Sequence, residues 1–152
     1  MSVDPRSMEG QHVPHREIAC AILFDPTGRL LLQQRDNIPG ILCPGMIALF
    51  GGHRENDESF VDCAIREIRE ETGHLITSER LEHLVSFHGI DQEGGGGTLR
   101  GEFFVVYNVP SDALVITEGT LSAISIKDVP SLGGKLTPSA QFALNALFAR
   151  SS

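Results

Sequence analysis

The most informative segment of the chain runs from Gly51 to Gly73 and reads GGHRENDESFVDCAIREIREETG. Its second part predicts a helix over residues 59–72, because at about 100° per residue the apolar side chains fall on one stripe. Gly73 stands where a glycine commonly ends a helix. The predicted buried stripe consists of Phe60, Val61, Ala64, Ile65 and Ile68.

Three glutamates on this helix carry the chemical information. Glu67, Glu70 and Glu71 are spaced i, i+3, i+4, so they project from one face beside the apolar stripe. Like charges at this spacing repel, and partial burial adds to the cost. A divalent cation among them would relieve that repulsion, and Mg²⁺ prefers oxygen ligands. Taken alone, the glutamates also fit an ordinary solvated helix face. The wider pattern of the segment must therefore distinguish a metal site from a solvated surface.

The whole segment resembles the Nudix box, G-x5-E-x7-R-E-U-x-E-E-x-G-U, where U is a bulky aliphatic residue. Two positions depart from common forms of the box: His74 stands at the last U, and Asp57 stands where glycine is frequent. The matching residues are Gly52, Glu58, Arg66, Glu67, Ile68, Glu70, Glu71 and Gly73.

The resemblance implies a set of metal ligands. Nudix enzymes hydrolyse nucleoside diphosphates linked to another group, and they use divalent metal held by the glutamates of the box. Carried onto this chain, the ligands are Glu67, Glu70 and Glu71, together with the backbone carbonyl of Gly51. The expected cofactor is Mg²⁺, with Mn²⁺ as an alternative.

The resemblance also implies catalytic roles. Glu67 is the first choice for the general base, and Glu70 joins it in the catalytic set. Glu58 and Arg66 are expected to form an ion pair that orients the helix, with Glu58 alternatively joining the metal shell through water. Because some family members use a distant glutamate as the base, Glu102 and Glu118 are further candidates for a base or metal ligand, against the alternative of solvated strand ends.

Substrate contacts are expected outside the box. Arg35 lies just before the strand of the box, where Nudix enzymes often contact substrate. Phe87 and Tyr107 could stack on a base, although aromatic residues in strands also commonly belong to the core.

The remaining chain predicts an α+β fold: a Nudix fold with a mixed β-sheet between helices (α/β/α) in a single domain. Residues 15–150 form the predicted domain and residues 1–14 a flexible tail. Thr137 and Pro138 predict the start of a last helix. The predicted strands are Arg16–Phe24, Leu30–Arg35, Ile47–Phe50, Leu81–Ile90, Phe103–Val109, Ala113–Thr117 and Ser122–Ile126.

The composition restricts the kinds of molecule that this protein is expected to bind. The 152 residues carry a net charge of −8, with no cluster of Lys or Arg, which argues against a nucleic-acid partner. No apolar run is long enough for a membrane span, and the polar start of the chain lacks the apolar core of a signal peptide, so a cytoplasmic location is expected. The three cysteines show no C-x-x-C spacing and are expected to be reduced. A small nucleotide-type molecule is the expected partner, and homodimerisation stays open.

The function expected from these observations is divalent-metal-dependent hydrolysis of a diphosphate linkage by water, in a nucleoside triphosphate or a nucleotide sugar. The alternative is a catalytically silent Nudix-fold module that senses a nucleotide by binding it. Such modules often lose glutamates of the box, and this chain retains all three.

Overall fold

The computed structural model describes residues 14–94 and 96–150. Three 3₁₀ segments, Ser78–Arg80, Ser111–Ala113 and Ile126–Lys135, connect regular elements of the described chain. The predicted tail lies outside the described residues except for Pro14. In chain order the regular elements are β1 (His15–Phe24), β2 (Leu30–Gln34), β3 (Ile47–Ala48), β4 (Phe50–His53), α1 (Phe60–Thr72), β5 (Glu82–Ile90), β6 (Thr98–Val106), β7 (Thr120–Ile124) and α2 (Pro138–Arg150).

Strand β1 is the centre of a mixed sheet. It pairs in parallel with β6 from His15 opposite Thr98 to Leu23 opposite Val106. It pairs antiparallel with β2 and with β4. β5 forms one edge beyond β6, while β3 and β7 pair with β2. A strand in this central position needs apolar residues on both faces, which explains the continuous apolar run in its sequence.

The two faces of the sheet bury separate cores, and one helix covers each. Alternate residues of β1 divide between them, since successive side chains of a strand point to opposite faces. Ala19, Ala21 and Leu23 pack with Ala64 and Ile68 of α1. On the other face, the core contains Ile18, Cys20, Ile22, Phe24, Ala140, Ala143, Leu144 and Leu147, the last four from α2. The predicted α/β/α arrangement is confirmed.

Helix α1 begins and ends as its sequence indicates, but its buried stripe is rotated. The Ser59 hydroxyl accepts the N–H of Asp62 at 3.0 Å, and Gly73 ends the helix at φ 75°. Cys63, which the predicted stripe omitted, is fully buried. Ile65, which the stripe included, is only partly buried. The neighbouring strands therefore select a face displaced from the one that hydrophobicity alone favours.

Two strand predictions are wrong. The single strand expected over Ile47–Phe50 is divided at Leu49, and its second part, β4, extends through the glycines, because Gly51 and Gly52 pair with Cys20 and Ala19. No strand forms over residues 113–117. Instead, the N–H groups of Val115 and Thr117 donate to the Thr72 and Glu71 carbonyls, which satisfies acceptors at the end of α1 that have no partner within the helix.

The start of α2 is confirmed, with Pro138 as its first residue and the Thr137 hydroxyl accepting the N–H of Ala140 at 3.2 Å. Each of the two described helices has 13 residues, too few to cross a bilayer.

Candidate active site

A cleft of about 350 Å³ opens beside β1 and β4, between α1 and the start of α2. Helix α1 contributes two carboxylates, β4 contributes its backbone, and the loops after β2 and β5 complete the walls. The lining residues that bear on chemistry are Arg16, Arg35, Gly51, Gly52, His53, Glu55, Glu67, Glu71, Glu93, Glu118 and Ser139.

The paired glycines of β4 allow α1 to approach the sheet. A Cβ atom added at Gly52 would lie 2.5 Å from the Cδ atom of Glu67. A Cβ atom at Gly51, where φ is 149°, would lie 2.3 Å from the Ala19 carbonyl oxygen. Any side chain at these positions would displace the carboxylate or the neighbouring strand. The glycines therefore fix how closely the glutamates lie to the backbone of β4.

Glu71 is held at the floor of the cleft. Its Oε1 atom accepts the backbone N–H of Gly51 at 2.8 Å. Burial and, to a smaller extent, the nearby charge of Glu67 raise the pKa of Glu71 to about 8, against the lowering effect of that hydrogen bond. Burial also raises the pKa of Glu67, although its hydrogen bond with Arg66 opposes the shift. Two partly buried carboxyl groups with raised pKa values form an environment that a cation would stabilise.

Arg66 organises the side chains around the glutamates. It binds Glu58 through two nitrogens, at 2.7 Å from Nη2 and 3.1 Å from Nε. This hydrogen bonding lowers the pKa of Glu58 to about 2. The Nη1 atom of Arg66 lies 2.8 Å from Glu67 and 3.2 Å from Glu70. The expected ion pair between Glu58 and Arg66 is thus present, and the same guanidinium also contacts Glu67 and Glu70, two of the three glutamates expected to bind metal.

The three glutamates of the box are not equivalent in position. Glu67 and Glu71 line the cleft. The Glu70 side chain is 58% exposed, at the outer edge of α1, and contacts Arg66. Helical spacing placed all three on one face, but the sheet covers only part of that face.

The other expected site residues separate into two groups. Arg35 and Glu118 line the cleft, and Arg35 is anchored by donating from Nε to the Leu42 carbonyl at 2.7 Å. Glu102 lies outside the cleft, where its Oε1 contacts His83 at 2.7 Å and Ser86 at 2.5 Å.

The two aromatic candidates also lie apart. Tyr107 is away from the cleft and stacks on Phe24 at 5.2 Å between ring centroids. Phe87 lies in a second pocket that adjoins the cleft and shares Glu93 and Ser139 with it.

Several cleft residues were not singled out as site candidates from the sequence, among them Arg16, His53, Glu55, Glu93 and Ser139. Arg16 donates to Asp91 from two nitrogens, at 2.5 and 3.0 Å, and lies 3.2 Å from the Nε2 atom of His53. Glu55 lies within the box, three residues after Gly52, so the motif itself could have indicated Glu55 as a site residue. Arg16 and Glu93 are brought together by the sheet, and no local pattern connects them.

The donor set of the cleft fits a hard divalent cation. Five carboxylates, from Glu55, Glu67, Glu71, Glu93 and Glu118, face two arginines, Arg16 and Arg35, among the lining residues. Carboxylate oxygens are the ligands that Mg²⁺ and Mn²⁺ favour. In the described part of the chain, however, no three His, Cys, Asp or Glu side chains are placed to hold an ion. Arg66 instead contacts Glu67 and Glu70, so its contacts would change when an ion enters.

Comparison with known proteins assigns the family. A family model described as the NUDIX domain matches residues 14–130, so the chain belongs to the Nudix family. MutT-like members of this family are pyrophosphohydrolases acting on anhydride bonds, and the chain is an enzyme of this hydrolase class. A search of curated protein sequences gives no match.

Solved structures share the fold at low sequence identity. The MutT Nudix hydrolase from Burkholderia pseudomallei is 23% identical, with a TM-score of 0.70 over 88% of this chain and 98% of that chain. The MutT protein from Methanosarcina mazei Go1 is 21% identical, with a TM-score of 0.72 over 91% and 95%. A bifunctional NMN adenylyltransferase/ADP ribose pyrophosphatase from Francisella tularensis, complexed with AMP and a Mn ion, is 20% identical, with a TM-score of 0.67 over 93% of this chain and 43% of that chain.

Proposed function

We propose that this protein hydrolyses a diphosphate linkage in a nucleoside triphosphate or a nucleotide sugar, by attack of water and with Mg²⁺ or Mn²⁺ as cofactor. The observation that carries the proposal is the pair of partly buried carboxylates, Glu67 and Glu71, facing the backbone of Gly51 and Gly52 in an acidic cleft. Burying these groups without a cation raises their pKa values, and a divalent ion would reverse that effect.

The ion would be held by Glu67 and Glu71, with Glu70 and the Gly51 carbonyl completing the protein ligands. When bound, the metal would neutralise charge on the diphosphate oxygens and make the attacking water more acidic. Glu70 would leave its contact with Arg66 to take part. Arg66 would stay anchored through Glu58 and through its 2.9 Å hydrogen bond to the His53 carbonyl, which keeps α1 aligned with β4.

Proton transfer is assigned to Glu67, which lies against Gly52 and lines the cleft. A general base must lie within hydrogen-bonding reach of the water it deprotonates. Glu118 is the second candidate, because it also lines the cleft. Glu102, fastened to His83 and Ser86 away from the cleft, is not retained as a base.

Arg35 is proposed to bind a substrate phosphate. It lines the cleft, and its Nε atom is fixed by the Leu42 carbonyl. Arginine suits this role because its planar guanidinium donates several hydrogen bonds to phosphate oxygens at once.

A substrate panel tests the proposal. Nucleoside triphosphates, nucleotide sugars, ADP-ribose and dinucleoside polyphosphates would be incubated with the protein and Mg²⁺, and the products separated by chromatography. Release of a nucleoside monophosphate, pyrophosphate or phosphate is expected with at least one class, and excess chelator should abolish it. Binding of a nucleotide with no product from any class would instead support a sensing module, and full activity in excess chelator would rule out the metal mechanism.

A further inference from the structure

Arg54 joins the central strand of the sheet to the loop that precedes helix α1. Its backbone N–H, just after β4, donates to the Glu17 carbonyl of β1 at 2.9 Å. Its side chain also binds the Glu17 carboxylate, at 2.6 Å from Nη2 and 3.1 Å from Nε. The remaining nitrogen, Nη1, donates to the Glu58 carbonyl at 3.0 Å. One arginine therefore connects β1 with both ends of segment 54–58.

Segment 54–58 contains two carboxylates of the site. Glu55 lines the cleft, and its backbone N–H donates to the Glu58 side chain at 2.8 Å. Asn56 turns the chain with a φ of 50°, in the left-handed region. That conformation is uncommon for residues other than glycine, and surrounding contacts must maintain it. The hydrogen bonds of Arg54 at the two ends of the segment are contacts of this kind.

The position of Glu58 reaches the metal-site glutamates through Arg66. Glu58 binds the Arg66 guanidinium with both carboxylate oxygens. The Nη1 atom of the same guanidinium lies 2.8 Å from Glu67. Arg54 itself does not line the cleft, so it acts on the reaction only through the groups that it holds.

Arg100 offers a comparison on the same surface. The Cζ atoms of Arg54 and Arg100 lie 5.1 and 4.6 Å from the centroid of the Phe60 ring, at the start of α1. Both cations are close enough for the ring to attract them. The charge partner of Arg100 is Glu102, at 3.7 Å, outside the cleft. Arg100 thus shares the contact with the ring but does not hold segment 54–58.

We propose that Arg54 is a positioning residue for the hydrolysis. By fastening segment 54–58 to β1, it holds Glu58 where that carboxylate binds Arg66. This inference rests on the proposed function, because the glutamates beside Arg66 are assigned there to metal binding and proton transfer. Removing an outer partner of a metal ligand commonly lowers metal affinity or activity by about 10–100-fold. Since Arg54 makes no contact in the cleft, its loss should lower kcat and leave KM nearly unchanged.

The test compares Arg54→Gln with Arg100→Gln. Each change removes a cation from the Phe60 ring, but only the first removes the hydrogen bonds that hold segment 54–58. With the substrate that the panel identifies and saturating Mg²⁺, Arg54→Gln should lower kcat by roughly 10–100-fold, with KM nearly unchanged. It should also weaken Mn²⁺ binding, measured by electron paramagnetic resonance. Arg100→Gln should preserve all three values, and Arg54→Lys, which retains the charge, should recover part of the loss.

A spectroscopic measurement makes the test independent of turnover. The Arg66 Nε–H donates to Glu58 at 3.1 Å, so in chelator it should give a resonance protected from exchange in ¹H–¹⁵N NMR spectra. Arg66→Lys identifies that resonance by removing it. In Arg54→Gln the resonance should be lost through faster exchange with water, because the segment that carries Glu58 opens more often. Arg100→Gln should retain the resonance.

Three results would overturn the inference: an Arg66 resonance retained in Arg54→Gln, an unchanged kcat in that variant, or equal losses in Arg54→Gln and Arg100→Gln. If Arg54→Gln does not fold, Glu17→Gln, which removes the charge that Arg54 binds, replaces it in the same measurements. The proposed function fails separately. If the resonance depends on Arg54 but no diphosphate is hydrolysed, the connection from Arg54 to Arg66 stands and the hydrolase proposal does not.

Discussion

The Glu71 carboxylate and the Gly51 backbone N–H are joined by a hydrogen bond of 2.8 Å, which fastens helix α1 to strand β4 at the floor of the cleft. Burial, together with the nearby charges of Glu67 and Glu118, raises the pKa of Glu71 to about 8 even though this hydrogen bond favours the charged form. The same bond positions Glu71 beside the Gly51 backbone, where a divalent ion is proposed to bind.

Replacing Glu71 with Gln should sharply weaken divalent-ion binding. The amide oxygen can still accept the Gly51 N–H, so the fold should persist while the charge is lost. Turnover should fall by at least about 100-fold, because loss of a ligand costs more than loss of an outer partner. Mn²⁺ titration followed by electron paramagnetic resonance would measure the affinity. Wild-type affinity and turnover in this variant would remove Glu71 from the metal site.

The metal-free protein should become less stable as pH rises from about 5 to 8. The folded-state pKa of Glu71 is raised, so the folded protein binds a proton there that the unfolded chain has already released above its ordinary pKa. Each unit of pKa difference corresponds to ~1.4 kcal/mol, so a decrease of a few kcal/mol is expected over this range. Urea denaturation in chelator would measure the free energy of unfolding at each pH, and Glu71→Gln should flatten the profile.

Glu58 should affect stability in a lower pH range. Its pKa is lowered to about 2 by Arg66, so its contribution is present above the ordinary glutamate pKa and is lost as pH falls from about 4.5 to 2. The same denaturation series extended to low pH, with Glu58→Gln as control, tests this. An unchanged low-pH limb in that variant would contradict the assignment.

Glu58 and Arg66 should behave as an energetically coupled pair. Each of Glu58→Gln and Arg66→Gln should reduce kcat, but by less than removal of a metal ligand, and the double variant should lose less than the sum of the single losses. A double-mutant cycle on kcat and on stability measures the coupling. If the losses in the single variants simply add up in the double variant, the two residues do not act together, despite their 2.7 Å contact.

Gly52→Ala should damage activity more than stability. The new methyl group would lie 2.5–2.8 Å from the Glu67 carboxylate, so that side chain must move out of its position in the cleft. Gly134→Ala is the matched control, since a Cβ atom there meets nothing within 4 Å. Metal affinity and turnover, measured for both variants, should fall only for Gly52→Ala; normal turnover in Gly52→Ala would mean that the position of Glu67 is not critical.

Substitution of Glu118 and of Glu102, the two candidate glutamates outside the box, should affect turnover differently. Glu118→Gln should lower turnover, because Glu118 lines the cleft, whereas Glu102→Gln should leave turnover nearly unchanged. Rates measured across pH for both variants would also test Glu118 as a base, since loss of a base removes the acidic limb of the profile. A large loss of turnover in Glu102→Gln, without one in Glu118→Gln, would show that a residue outside the cleft is important for the reaction.

The features that depend on neighbouring residues could be predicted from the amino-acid sequence. The limits of α1 follow from Ser59 and Gly73, the start of α2 from Thr137 and Pro138, and the family from the spacing of the box. These signals are local, because helix caps, helical spacing and turns depend on residues within about one turn of one another. The pairing of Glu58 with Arg66 was also accessible, since both belong to the same motif.

Which of these groups lie together in the site depends on contacts between distant parts of the chain. Helical spacing treats Glu67, Glu70 and Glu71 alike, but the close approach of β4 partly buries Glu67 and Glu71 in the cleft and leaves Glu70 exposed. Arg16 and Glu93 meet in the cleft wall although 77 positions separate them, because β1 and the loop after β5 are brought together by the sheet. Likewise, the segment after Ala113 binds the end of α1 rather than forming a strand. Each of these three arrangements depends on which distant backbone or side-chain group lies within contact distance. The local periodicity of the sequence does not contain that information.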